Sequence, residues 1–357
     1  MQLLYDLLNC TQQSNHASLS TDPPHFFQTF HSNNIIQQRL IVPGLPTPFH
    51  YLNFIITHPT LCHIDQYDHN KETTSADNVL SVLCSTSLHL NSYLNFYSIQ
   101  QDCRVEQAYL FGDRESITGN FPTLFLERND AELKVKLKIE VLPFVTYLEK
   151  MRFGLSRFWT IPCFCQGEVQ YKNTQFSIEG MGSLESYQKK KLCFVDVAFH
   201  TYQIVNLSAQ QQIIFRQKRN GKNQILSSQI CLRDYKNQKN YYFDRNVLFK
   251  IHRMYPKIIT PDGKPMYLPR EFEWQMQNDD GFVINFFAKS RGDFKFGVGQ
   301  GYVGSFQYTI KINGKEENGE AGYIEYQDLR KLQFQECENL HQSLSLKANP
   351  VPIVLKK

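Results

Sequence analysis

Hydrophobic and polar residues alternate with a period of two along much of this chain. Over 133–141, Leu133, Val135, Leu137, Ile139 and Val141 interleave with Lys134, Lys136, Lys138 and Glu140. Over 304–313, Phe306, Tyr308, Ile310 and Ile312 interleave with Gln307, Thr309, Lys311 and Asn313. Shorter alternations follow at 282–287 (FVINFF) and 294–299 (FKFGVG). A period of two marks strands with one buried and one wet face. Helical periodicity is scarce. Its best instance is 327–344, with Leu329, Leu332, Cys337 and Leu340 at helical spacing. Many half-buried strands punctuated by Gly, Asn and Asp predict an all-β fold of antiparallel sheets, closed as barrels or packed as sandwiches.

The pattern also repeats. Residues 167–187 (GEVQYKNTQFSIEGMGSLESY) and 304–326 (GSFQYTIKINGKEENGEAGYIEY) both open with Gly-x-x-Gln-Tyr and both close with Gly-x-hydrophobic-Glu. The openings lie 137 residues apart (167 against 304) and the closing glutamates 140 apart (185 against 325). One longer hairpin loop at 313–319 accounts for the three extra residues. A weaker match sets 50–54 (HYLNF) against 200–204 (HTYQI) where each unit is expected to begin. The chain therefore reads as two copies of a unit of ~140 residues, the size of one domain and of a lipocalin-sized barrel. The expected layout is a polar arm over 1–39, one barrel over 40–190, a second over 191–330, and a tail over 331–357 that favours helix.

Bulk composition narrows the picture. In 357 residues, 41% are hydrophobic and 13% aromatic, enough for two cores, while 20% charge lies below the usual level of about 25%. A net charge of +4 gives no footprint for nucleic acid or an anionic membrane, and the run Lys189-Lys190-Lys191 reads as a solvated turn. No apolar stretch is long enough to span a bilayer. The start MQLLYDLLNC lacks a basic n-region, so a cleaved signal is not expected. Nine cysteines without a Cys-x-x-Cys pair fit a cytoplasmic chain with free thiols.

The sequence is similar to a known family at several of these places. Residues 199–223 (FHTYQIVNLSAQQQIIFRQKRNGKN) resemble the strand pair that opens the second barrel in the AttH/carotenoid 1,2-hydratase superfamily. Residues 265–276 (PMYLPREFEWQM) resemble its Pro-led strand, and 302–326 its Tyr-rich, Gly-x-Gly-Tyr-x-Glu ending. In the first copy, 158–171 (FWTIPCFCQGEVQY) keeps the aromatic pair and the glycine, with Ser183 where Tyr323 stands in the second. The resemblance implies two lipocalin-like barrels in tandem. It extends to carotenoid hydratases, fungal pericyclases and bacterial members of unknown function, the last being most similar to this chain. The chain departs from the hydratase pattern at 208–211 (SAQQ), so no catalytic acid is carried over.

Several residues qualify for chemistry, each beside a plainer reading. His200 and Tyr202 share a strand face and would form an acid–base pair if that face lined a cavity; a packed histidine beside a tyrosine is the plainer reading. Trp159 and Trp274, with Tyr171 and Tyr308 from the repeated openings, would line either a core or a ligand pocket. His58, Cys62, His63 and His69 carry metal-binding side chains, but their spacing fits a surface loop better than a zinc site. Cys163 and Cys165 alternate on one strand as small core residues. Glu185 shares a face with Ser183 and Tyr187, and Glu325 with Tyr323, where each is expected to meet an arginine or backbone.

Nucleotide, hydrolase, zinc-protease and calcium-loop motifs are absent from the sequence. The glycine-rich 297–304 reads as bent strand, without the helix that a phosphate cradle requires. No cofactor is expected. Three functions remain open: binding of an apolar lipid, terpenoid or steroid-like molecule in a barrel or between barrels; a cofactor-free hydratase, isomerase or cyclase acting on such a molecule; or a protein-interaction module with filled barrels.

Overall fold

A computed structural model describes residues 2–16, 26–28, 30, 33–59, 76–89, 91, 93–105, 108–193, 197–208 and 210–331. Two large antiparallel sheets dominate. The first runs from Asn34 to Lys190, the second from Phe199 to Asp328. In the first sheet the two edge strands, Leu94–Ser98 and Cys103–Val105, are consecutive in the chain and joined by the short helix Ile99–Asp102. In the second the edges, Lys239–Phe243 and Val247–Met254, are likewise consecutive. Each sheet thus curls until its edges approach, which removes most of the exposed edge that a flat sheet would leave.

Both sheets close in the same way. The strand Asn34–Pro43 pairs with Thr174–Lys190, and Phe199–Leu207 pairs with Lys315–Asp328. Arg39 lies opposite Glu185 in the first pair and Tyr202 opposite Glu325 in the second. The repeated Gly-x-hydrophobic-Glu is therefore the closing strand of each barrel. The opening matches are out of register, however. The structural counterpart of Phe199–Leu207 is Asn34–Pro43, not the strand Tyr51–His58 that carries HYLNF. Both hairpins also turn through two residues, between Tyr171 and Thr174 and between Ile312 and Lys315. The length difference is not in that loop. It lies before the turn: Tyr171 ends its strand at the turn, whereas Tyr308 stands four residues short of Ile312, so the two Gly-x-x-Gln-Tyr openings do not share a register.

The first barrel strand thus begins at Asn34, inside the stretch expected to be a polar arm, and two short helices, Gln2–Leu8 and Thr11–His16, precede it. Strand extends through Asp328 at the other end; the expected helix lies otherwise almost wholly beyond the described residues.

Alternation sorts the side chains. Leu133–Val141 is buried at every odd position and exposed at every even one. The first barrel encloses Leu40, Val42, Phe54, Leu124, Ile139, Trp159 and Leu184; the second encloses Phe199, Phe215, Phe249, Trp274, Phe286 and Phe306. Alternate residues of the closing strands point the other way. They form a third apolar cluster between the barrels, including Ile41, Ile55, Leu148, Phe158, Tyr202, Ile204, Val303 and Tyr323.

Candidate functional site

The seam between the barrels is rich in buried charge. Arg39 extends from the first barrel and is 2% exposed. Its Nε lies 3.4 Å from Glu185 on the neighbouring strand, and its Nη2 donates to Glu325 of the second barrel. Tyr202, across the strand from Glu325, donates its hydroxyl instead to Glu185. The two repeated glutamates are therefore cross-linked: each barrel's closing carboxylate is contacted by a side chain of the other. The Arg39 guanidinium also faces the rings of Tyr202 and Phe158, at 5.0 and 5.4 Å from their centroids.

The two carboxylates are not equivalent. Glu185 also accepts from Ser183 at 2.9 Å and Thr160 at 3.3 Å, and Arg233 donates to Thr160 (2.7 Å) and Ser183 (3.3 Å) behind them. Glu325 accepts from Tyr323 at 2.9 Å and from Arg39, both on one oxygen. The second oxygen of each carboxylate lacks a hydrogen-bond partner in the structure, that of Glu185 lying 3.4 Å from Arg39 Nε. Burial raises the Glu325 carboxyl above its ordinary value; Arg39 opposes this and Glu185 reinforces it. One guanidinium shared by two buried anions leaves a proton readily held at one of them.

A second charged group lies alongside. Glu149, brought in by Thr146–Lys150, accepts from Arg216 at 3.0 Å and from Lys218 and Ser156. Burial works against its ionisation, but Lys218 and then Arg216 prevail and hold its carboxyl well below the usual range. Burial and Arg216 together bring the Lys218 ammonium down to about 8, against the pull of Glu149.

These groups form part of the wall of a half-open inter-barrel pocket of about 200 Å³. Arg39, Glu325, Arg216, Lys218 and His200 supply its polar side; Ile35, Phe158, Val197, Val298 and Tyr302 supply an apolar one. Burial, then the cations Arg216, Lys218 and Arg39, hold the His200 imidazole well below its ordinary value. The ring is thus neutral near neutrality. Its Nε2 is buried and, like Glu325 Oε2, lacks a partner in the structure. Two adjoining strands bring these orphans together, since His200 pairs with Gln327 and Tyr202 with Glu325.

The sequence candidates separate accordingly. His200 lines the pocket, on a face that points out of its barrel toward the other one rather than into a barrel cavity. Tyr202 lies behind it, bonded to Glu185. Trp159 packs inside the first barrel against Phe26, and Trp274 inside the second, donating to Gln203 at 3.0 Å. Tyr171 and Tyr308 tether barrel ends through carbonyls of Leu88 and Asn206. None of these four lines the inter-barrel pocket. His58 is buried in a strand with its Nε2 2.9 Å from the Asp77 carbonyl oxygen; Cys62, His63 and His69 lie outside the described residues. Among the described residues no cluster suited to a metal ion occurs. Cys163 and Cys165 are core residues with sulfurs 3.8 Å apart. Arg39, Glu149, Arg216 and Lys218 had no signal in the sequence beyond their strands; Glu325 had one in the repeat.

Two curled antiparallel sheets, closed alike and packed on a shared seam, define a tandem lipocalin-like barrel fold. The chain belongs to DUF6670, a family of unknown function, which it matches over residues 55–340. The fold is similar to that of an AttH-type protein from Nitrosomonas europaea, with a TM-score of 0.60 and 12% identity over 86% of this chain and 97% of the other. It is similar also to kievitone hydratase from Nectria haematococca, with a TM-score of 0.54 and 12% identity over 88% and 94% of the two chains. No curated protein matches the sequence. Among the described residues no helix is long and apolar enough to cross a membrane.

Proposed function

We propose that the protein binds a small, largely apolar molecule in the pocket between its barrels, with one hydrogen-bonding end directed at Glu325 and His200. The observation that carries this reading is the pair of buried, unpartnered polar atoms, His200 Nε2 and Glu325 Oε2, on residues of the pocket's polar side, opposite its apolar wall. A buried polar group without a partner costs about 1–3 kcal/mol, which a ligand hydroxyl or carbonyl would recover. A volume of about 200 Å³ falls below the 300–1,000 Å³ of drug-sized pockets, so it suits one ring or the head of a longer molecule.

Native mass spectrometry of the full chain from its own host, with untargeted analysis of an organic extract, tests the reading. A stoichiometric apolar compound is expected, lost when Val298→Trp fills the pocket. An apo mass with nothing above control, or a compound retained by Val298→Trp, argues against it.

A second reading rests on Glu325 itself. A carboxyl whose hold on a proton is raised by burial beside an apolar wall is suited to protonating an alkene or carbonyl, and the likeness to a hydratase fold agrees with such chemistry. On this reading Glu325→Gln keeps the bound compound but stops its conversion, whereas conversion persisting in Glu325→Gln rules out that role.

A further inference from the structure

Beside the pocket lies a small satellite core of Tyr5, Met151, Cys193 and Leu226, with Leu155 and Val197 packed on it. Residues one or two positions from these in sequence do the opposite of packing. Phe153 is 80% exposed, Leu192 77%, Leu7 62% and Ile225 43%. Four of the nine large hydrophobic side chains exposed among the described residues thus border one spot. Phe153 also holds a left-handed backbone (φ 58), which a bulky residue adopts only at a cost, and no burial of its ring offsets that cost. Gly154 beside it has the same handedness.

The surrounding charge is mainly positive. Arg152, Lys190, Lys191 and Lys222 are exposed here, against Asp6 and Asp77. Lys190 Nζ lies 3.3 Å from the Phe153 carbonyl oxygen, which places the lysine run and the exposed ring side by side. Lys191 pairs with Asp77, an exchangeable contact between two exposed groups. Isolated apolar side chains ringed by Lys and Arg match an anionic bilayer: the rings enter the headgroup boundary while the cations remain with the phosphates.

We propose that the face formed by Phe153, Leu192, Leu7 and Ile225, with Arg152, Lys190 and Lys191, docks the protein on an anionic lipid bilayer. The face adjoins the pocket mouth, since Val197 packs on the satellite core and also lines the pocket, as does Lys189. A molecule leaving the bilayer would therefore meet the pocket directly. That delivery step rests on the pocket reading above; docking itself does not.

Sedimentation of the full chain with phosphatidylcholine vesicles, with and without about 30 mol% phosphatidylserine, tests docking. The protein is expected to pellet with the anionic vesicles and remain in solution with the neutral ones. Phe153→Ser/Leu192→Ser and Arg152→Gln/Lys190→Gln should each weaken binding by about tenfold while leaving the unfolding midpoint in place. Equal binding to both vesicle types, no binding to either, or no loss in the variants overturns the proposal. So does a wild-type dimer that the same variants dissolve without vesicle binding, because the face would then cover a second copy. Val298→Trp should still pellet, which separates failure of docking from failure of the pocket reading.

Discussion

Glu185 and Glu325 occupy the same place in two copies of one barrel, yet they have become different groups. Glu185 is enclosed by Ser183, Thr160, Tyr202 and Arg39, with Arg233 behind them. Glu325 meets Tyr323 and Arg39 and, unlike Glu185, lines the pocket. Ser183 in one copy stands where Tyr323 stands in the other, as the registers Ile41–Ser183 and Ile204–Tyr323 show. Duplication placed a carboxylate on each side of the seam, and the surrounding hydroxyls gave the two their separate roles. Both tie the barrels together, Glu185 through Tyr202 and Glu325 through Arg39, and of the two Glu325 alone lines the inter-barrel pocket.

Removing what the two carboxylates share should have the largest effect. Arg39→Met leaves two buried carboxyls without their cation and should cost about 3–5 kcal/mol in denaturant unfolding. A loss below about 1 kcal/mol would mean that the seam does not depend on that contact.

The glycines of the two closing strands offer the next contrast. A Cβ on Gly322 would lie 2.1 Å from the Phe306 ring, whereas on Gly182 it meets Cys165 Sγ at 3.0 Å and the Ile41 carbonyl oxygen at 3.1 Å. Gly322→Ala should therefore destabilise by about 3 kcal/mol and Gly182→Ala by about 1–2 kcal/mol. The reverse order would show that the ring yields more easily than the strand pair.

The carboxylates themselves come third. Glu185→Gln should cost about 2 kcal/mol, because three hydroxyls and a guanidinium are aimed at a charge that is gone. Glu325→Gln should cost less, about 1 kcal/mol, since among the described residues only one hydroxyl and the guanidinium meet its carboxyl. Equal losses in the two variants would erase the distinction drawn between them.

The pH dependence supplies the smallest effect and carries a sign. A carboxyl raised in the native state binds its proton more tightly folded than unfolded. The stability from Glu325 is therefore fully present below the unfolded value of 4.5 and is lost as pH rises through its native value. Glu149, depressed in the fold, behaves oppositely: its contribution is present above 4.5 and is lost as pH falls through its native value. Stability of Glu325→Gln measured against pH should lack the first slope and keep the second. A slope that survives the substitution belongs to another group.

Much of this fold was legible in the sequence because strand alternation is a local signal. Leu133–Val141, Val283–Ser290 and the 306–312 part of Gly301–Ile312 follow the pattern that their residues write, and the closing repeat marked both glutamates. The first strand was not legible. Asn34–Pro43 reads NIIQQRLIVP and is buried on both faces from Ile36 onward, one face in the barrel and the other on the seam, so polar Gln37, Gln38 and Arg39 are enclosed where alternation expects solvent. The same blindness applies to the site. Arg39 lies 286 residues from Glu325 along the chain and acquires its role only when the barrels pack, which no local pattern records. His200 was legible as a residue, but not the direction in which its strand faces.

The central claim is that Glu325 carries an elevated carboxyl at the pocket. Carboxyl 13C NMR of glutamate-labelled protein, titrated through the acid and neutral range in wild type, Glu185→Gln and Glu325→Gln, reads this directly. One glutamate is predicted to titrate above the usual carboxylate range, to vanish in Glu325→Gln, and to move downward in Glu185→Gln as its neighbouring anion disappears. A high-titrating resonance that survives Glu325→Gln and is lost in Glu185→Gln would contradict the account.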